Sequence, residues 1–163
     1  MGLRFFLWIA TLPTFLTVSF RKEVLTMPRT KELTLRIEDR PGTLGKISQA
    51  LSDRGVNILG FQSFPSEGKS LVHLVLDNPV TAKTVLDGQG IRYDESDVAQ
   101  ISLPNRPGEL ARAASRLGDA KININHAYGG VDPTTNKPLL FFGVSDVSRA
   151  VEFLDQAATA ARG

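Results

Sequence analysis

One short motif whose chemistry suits a small anion occurs twice in the sequence. Residues 39–44 read Asp-Arg-Pro-Gly-Thr-Leu, and residues 105–110 read Asn-Arg-Pro-Gly-Glu-Leu. Each copy follows a strand-like run and precedes a helical pattern, so the first backbone N–H groups of that helix lack intrahelical acceptors. With the positive end of the helix dipole, these groups suit a carboxylate or a phosphate.

The other residues of the motif are compatible with a ligand site and with a plain turn. The glycine has no Cβ, so a ligand could approach the backbone, and the proline fixes φ without a ligand. The leading Asp or Asn can bond the amides of the turn or the amino group of a ligand. However, Pro-Gly commonly joins a strand to a helix, and Asx residues commonly cap helices. The turn alone therefore leaves a purely structural role open.

The two motifs belong to a longer internal repeat. At an offset of 66 residues, segments 35–59 and 101–125 share eight identities. A repeat of this kind sets the architecture of the chain. Its shared asparagines, Asn57 and Asn123, each open an apolar strand and could face the same corner as the motif. A role as a turn residue after a helix is an equally open alternative.

Hydrophobic spacing predicts the same elements in both copies, with period-2 alternation for strands and helical spacing for helices. The predicted order is a strand at 31–38, a helix that begins at residue 43 and is stopped by Gly55, strands at 56–64 and 70–77, a helix at 82–88, strands at 91–96 and 99–103, a helix at 110–117, strands at 122–128 and 139–144, and a helix at 147–154. Segments 65–68 and 129–138 are predicted to be loops that connect neighbouring strands. The acidic run 94–97 is predicted to be a solvent-exposed connection. The sequence thus predicts an α+β fold of two tandem ferredoxin-like βαββαβ units, with antiparallel sheets and helices on one face.

The predicted units are residues 31–97 and 98–163, and the fourth strand of the first could run nearly straight into the second. The second unit has no fourth strand of its own, which predicts an open sheet edge. We expect a second copy of the chain to cover it, giving a homodimer, with residues 18–24 as a less favoured cover. Residues 1–30 are predicted to be an extension outside the fold. Their uncharged run 5–20 leaves a start-site extension, a signal or anchor, and a segment that folds onto the body as alternatives.

The repeated pattern of strand, Asp/Asn-Arg-Pro-Gly-x-Leu, helix, Val/Ile-Asn-Ile and strand resembles the ACT domain, here in tandem. The resemblance implies a regulatory protein that binds a free amino acid or similar small carboxylate and acts on an unknown target protein without a catalytic domain of its own. An alternative is a ligand-free structural module that recruits a partner through an exposed sheet edge. The ligand-binding residues that the resemblance implies are Asp39, Arg40, Pro41, Gly42, Thr43, Leu44, Asn57, Ile58, Asn105, Arg106, Pro107, Gly108, Glu109, Leu110, Asn123 and Ile124.

Composition and charge argue against several other kinds of partner and site. Residues 1–26 carry three basic residues and one acidic residue, which accounts for the whole net charge of +2 and leaves 16 of each sign elsewhere. A neutral body argues against nucleic acid as a partner, and we expect no membrane partner and a cytoplasmic location. The chain has no cysteine. His73 and His126 have no carboxylate cluster beside them in the sequence, so we expect packed side chains, no metal site and no cofactor. The sequence shows no pairing of a nucleophile with a general base, so we do not expect the protein to be an enzyme.

Overall fold

The computed structural model describes residues 29–160, with side chains described as far as Leu154. The predictions for the apolar run 5–20 and for a covering strand at 18–24 lie outside these residues. The elements in chain order are β1 (Arg29–Glu38), α1 (Thr43–Ser52), β2 (Ile58–Ser66), β3 (Lys69–Leu76), α2 (Pro79–Gly88), β4 (Tyr93–Ser102), α3 (Glu109–Asp119), β5 (Ile124–Val131), β6 (Pro138–Val144) and α4 (Val147–Ala160).

The predicted α+β pattern is present, and the two units share a strand. β4 pairs antiparallel with β1 through residues 93–99 and with β6 through residues 99–102. The expectation that the fourth strand runs on into the second unit is therefore confirmed. One ten-residue strand serves as the last strand of the first repeat and the first strand of the second.

The prediction of two separate sheets with an open edge is wrong for the described strands. They form one closed barrel in the order β1-β3-β2-β5-β6-β4. The ring closes between β2 and β5, where Gly60 pairs with Gly130. A Cβ on Gly130 would lie 1.9 Å from the carbonyl oxygen of Leu59, so only glycine allows the two backbones to meet there. The strand count therefore no longer argues for a covering second chain.

Three local predictions also need correction. β5 extends through Gly129 and Gly130, which the sequence placed in a loop, because these glycines are the residues that let β5 approach β2. β2 continues through Pro65 to Ser66. The acidic run 94–97 lies inside β4, where the register sets Asp97 opposite Lys31 and the two side chains form an ion pair at 2.9 Å.

The barrel separates three apolar clusters. Helices α1 and α2 cover the outer face of the first unit around Leu35, Leu51 and Leu86. Helices α3 and α4 cover the second around Leu117 and Phe142. The third cluster lies inside the barrel and consists of Val75, Val98, Tyr128, Leu139 and Phe141, with Leu59 packed against it. The barrel is thus packed against helices on the outside and by the third cluster on the inside, whereas most residues of β2 and β5 are exposed or half-buried.

None of the helices in residues 29–160 is long and apolar enough to span a membrane.

Candidate functional site

The two repeated turns have the same backbone. Gly42 has φ 87° and ψ −12°, and Gly108 has φ 90° and ψ −14°. This left-handed conformation favours glycine strongly over residues with a Cβ. Each glycine is the N-cap of its helix, and its carbonyl accepts the first helical bond, from Lys46 N at 3.0 Å and from Arg112 N at 2.9 Å. Neither helix start has a side-chain cap.

A cavity of about 820 Å³ lies beside the start of α1, at the first turn. Thr43, the first residue of α1, lines it, and the first turn of α1 has no acidic residue. The charged residues of the lining are Arg36, Glu38, Lys46, Glu67, Lys69 and Arg92. Four cations and two carboxylates give the cavity an excess of positive charge beside the positive end of the α1 dipole.

The second turn carries a carboxylate of the protein itself. Glu109, at the position equivalent to Thr43, is 4% exposed. Its Oε1 accepts hydrogen bonds from Arg106 Nε at 2.6 Å and from an Arg112 guanidinium nitrogen at 2.7 Å. The bond from Arg106 is the main cause that lowers the pKa of Glu109 below its ordinary value. A charged carboxylate is thus fixed at the corner where the sequence predicts one from a ligand.

The asparagines do not lie at the predicted corners. The N–H of Asn57 donates to Asp77 Oδ1 at 2.9 Å, just beyond the end of β3, whereas the Asp39–Leu44 turn lies near Lys69, at the start of β3. These two ends are roughly 25 Å apart along the strand. Asn123 is bonded in the same way to Ser145, beyond β6. The idea that each asparagine shares a corner with the motif of its own repeat is therefore wrong, and Ile58 and Ile124 lie at the same far ends.

The remaining motif residues have ordinary contacts. Asp39 Oδ1 accepts a hydrogen bond from Ser70 Oγ at 2.9 Å, which ties the first turn to β3. Arg40 forms an exposed ion pair with Glu38 at 3.3 Å. Leu44 packs on the core of the first unit, whereas its counterpart Leu110 is 54% exposed. Pro41, Asn105 and Pro107 are exposed.

A second constellation, which sequence reasoning missed, lies inside the barrel. The carboxylate of Glu32, on β1, is 1% exposed, and its two oxygens meet side chains from β3 and β5. Oε1 lies 2.9 Å from His73 Nδ1, and Oε2 lies 2.9 Å from His126 Nε2. The hydroxyl of Tyr128 donates to Oε2 at 2.7 Å. The prediction that the two histidines lack a neighbouring carboxylate is wrong, because β1, β3 and β5 bring distant residues together.

Hydrogen bonding decides the charge of this carboxylate. Burial alone would raise the pKa of Glu32, but hydrogen bonds from His73, Tyr128 and His126 outweigh it and lower the pKa to about 2. Burial, with the hydrogen bond to Glu32, raises the pKa of Tyr128 well above its ordinary value. The barrel interior therefore holds an ionised carboxylate and a neutral phenol at neutral pH.

Comparison with known proteins finds a family match for the first repeat. Residues 31–85 match the family model described as ACT domain. This segment is therefore an ACT domain. No curated protein sequence matches the chain.

Solved structures share the fold over both repeats. Protein BT0572 from Bacteroides thetaiotaomicron is 21% identical, with a TM-score of 0.71 over 80% of this chain and 89% of that chain. The ligand-free regulatory subunit of aspartate kinase from Thermus thermophilus is 17% identical, with a TM-score of 0.56 over 79% and 92%. The corresponding subunit from Thermus flavus is 20% identical, with a TM-score of 0.54 over 79% and 92%. These similarities establish that the ACT-like fold spans the whole described tandem.

Proposed function

We propose that the protein is a regulatory protein with two ACT repeats, residues 31–97 and 98–163, that binds a free amino acid at the first repeated turn. The observation that carries the proposal is the difference between the turns. The first lies beside a cationic cavity, whereas the second already holds the Glu109 carboxylate. A ligand carboxylate at the first turn would take the place that Glu109 has at the second.

The cavity supplies both charges that an amino acid needs. The positive end of the α1 dipole and the cations Lys46 and Arg92 can meet an α-carboxylate, and Glu38 and Glu67 can meet an ammonium group. Its volume of about 820 Å³ lies within the range usual for small-molecule sites. Aspartate kinase regulatory subunits share the fold, which supports a regulatory role for a bound metabolite.

Regulation would follow from linkage. A ligand that binds one conformation or assembly more tightly shifts the equilibrium toward it, and a target protein can read that shift. We propose that this assembly is a homodimer. The resemblance to ACT domains is the remaining support for it, because the closed barrel removes the argument from an open sheet edge. The alternative of a module that recruits partners through a free sheet edge has lost its main argument, because the described strands close on themselves.

Thermal unfolding measured with each of the twenty amino acids at millimolar concentration tests the proposal. We expect at least one to raise the midpoint. Lys46→Met removes a cation from the cavity and should weaken that effect at least tenfold in ligand concentration. Lys137→Met removes the same charge from an exposed loop of the second repeat and should leave it unchanged. No response to any amino acid, or equal responses in both variants, would contradict the proposed site.

A further inference from the structure

We propose that Glu32, His73 and His126 bind a divalent transition-metal ion inside the barrel, with Zn²⁺ the best match. One ligand atom from each residue lies within 4.8 Å of the other two. Zinc ligands lie about 2.0–2.2 Å from the ion, so tetrahedral donors are roughly 3.3 Å apart. The two carboxylate–imidazole distances, 2.9 Å from Oε1 to His73 Nδ1 and 2.9 Å from Oε2 to His126 Nε2, are close to this spacing.

The chemistry of the donors selects the kind of metal. Two imidazoles and a carboxylate suit Zn²⁺, Co²⁺ or Ni²⁺, whereas Mg²⁺ and Ca²⁺ prefer oxygen alone. The chain contains two histidines and no cysteine, so His73 and His126 are its only imidazole ligands. The Tyr128 hydroxyl, 2.7 Å from Glu32 Oε2, is placed to orient the carboxylate as an outer-shell partner.

A bulge in β5 and a glycine in β6 make room for the ring of His126. The β5–β6 register shifts between Ile124 and His126, and such a bulge re-aims the side chains beside it. The ring of His126 then lies over Gly143 of β6. A Cβ on Gly143 would lie 2.1 Å from that ring, so glycine is required for the ring to occupy this position.

The fold itself does not require the polar cluster. In the second repeat, the 66-residue offset relates Val98 to Glu32. The strand pairs Gln62↔His73 and Tyr128↔Phe141 are likewise equivalent, so Phe141 takes the place of His73. Val98 and Phe141 are both buried in the apolar barrel cluster. Because apolar residues fill the related positions, the buried Glu32–His73–His126 set calls for a separate explanation, and metal binding provides one.

The surroundings provide an entry and a place for a water ligand. The side chain of His126 is 24% exposed, against 9% for His73 and 1% for Glu32, so an ion can arrive from the His126 side. Three protein ligands leave one tetrahedral position for water. Gln62 pairs with His73 across β2 and β3, and its Oε1 is buried without a hydrogen-bond partner in the described structure. That oxygen is available to accept a hydrogen bond from a metal-bound water.

Metal binding here would link the two repeats. Glu32 and His73 come from the first repeat and His126 from the second, and the strand contact that closes this side of the barrel is the pair Gly60–Gly130. An ion held by all three would bind the folded barrel and not the unfolded chain, so it would stabilise the closed form.

Titration of the untagged, EDTA-treated full-length chain with Co²⁺ and Zn²⁺ tests the site. We expect one ion per chain, a visible Co²⁺ spectrum of a four-coordinate site, and imidazole scattering at the zinc X-ray absorption edge. Zn²⁺ should raise the thermal midpoint and Mg²⁺ should not. The absence of metal binding at micromolar Zn²⁺, or a zinc site without imidazole, would overturn the proposal.

Two variants separate ligation from packing. His126→Gln keeps an amide that can donate to Glu32 but removes the imidazole, so Zn²⁺ affinity should fall at least 100-fold. Tyr128→Phe removes only the outer partner and should cost about tenfold. Near-ultraviolet circular dichroism in EDTA checks that each variant is folded, and His73→Gln replaces His126→Gln if the latter is not. Unchanged Zn²⁺ affinity in a folded histidine variant would overturn the proposal.

Discussion

The two repeated turns have nearly the same backbone and opposite electrostatics. Their glycines differ by 3° in φ and 2° in ψ, yet Thr43 stands at an open, cationic cavity and Glu109 stands buried between two arginines. Conserving a turn geometry between repeats therefore does not conserve an available site. The residue that follows the glycine decides whether the corner can accept an anion from outside.

The barrel interior shows the same divergence. Glu32 of the first repeat and Val98 of the second occupy equivalent positions, and both are buried. One side of the interior is a polar network and the other is apolar packing. The repeats thus use one backbone plan for different chemistry at both places, and the following predictions test how far that difference extends.

The largest effect is expected at Glu32, measured in EDTA so that no metal contributes. Its folded pKa of about 2 lies below the ordinary 4.5, so its contribution to stability is fully present above pH 4.5 and is lost as the pH falls toward 2. The loss should reach about 3 kcal/mol in the free energy of unfolding, measured by urea unfolding across this range. Glu32→Gln should lose this pH dependence, whereas Glu152→Gln, on an exposed helix position, should keep it. Equal pH slopes in wild type and Glu32→Gln would contradict the role of the network.

Thr43→Glu should convert the first turn into a copy of the second. The new carboxylate would stand beside Arg40 and Lys46, the equivalents of Arg106 and Arg112. We expect amino-acid affinity, measured by isothermal titration calorimetry with the ligand found by the thermal screen, to fall at least 100-fold. Thr43→Ser is the matched control and should bind as wild type does. Full affinity in Thr43→Glu would place the ligand elsewhere.

Gly42→Ala and Gly108→Ala should destabilise the protein equally, by about 1–2 kcal/mol each, because both put a Cβ on a left-handed residue. Nothing lies within 4 Å of either added Cβ, so the cost is conformational. Only Gly42→Ala should also weaken amino-acid binding. Gly45→Ala, in α1 with the same open surroundings and no positive φ, should instead stabilise the protein slightly. Urea unfolding measures the change in stability, and calorimetry measures the change in amino-acid binding. Equal loss of binding in Gly42→Ala and Gly108→Ala would contradict the proposal that only the first turn binds the ligand.

The smallest effect is expected for Glu109→Gln. The hydrogen bond from Arg106 lowers the pKa of Glu109, so the stability that this carboxylate adds is present above its ordinary pKa and is lost as the pH falls through the lowered one. The variant should therefore show a slightly flatter acid limb of the urea midpoint than wild type. Arg149→Gln, which removes a charge elsewhere in the second repeat, serves as control. A steeper acid limb in Glu109→Gln would be the opposite of this expectation.

Much of the architecture could be read from the sequence because it depends on neighbouring residues. The Arg-Pro-Gly trio sets a turn within a few residues, and period-2 alternation marks Leu33, Leu35 and Ile37 as one strand face. These features gave the two turns, the helices after them and the shared strand β4. The sequence did not predict where β5 ends. Gly129 and Gly130 are typical of a loop by composition, but they form part of a strand because β5 contacts β2 there.

Which corner is open, and what lies inside the barrel, were decided by tertiary structure. Glu109 reads as an ordinary helix-start residue until its burial between Arg106 and Arg112 is seen. Glu32 is 41 residues from His73 and 94 from His126. No periodicity connects residues so far apart, because their contact depends on the closure of six strands into a ring. The sequence by itself determined the turns and the repeat, and the closed barrel determined which side chains meet.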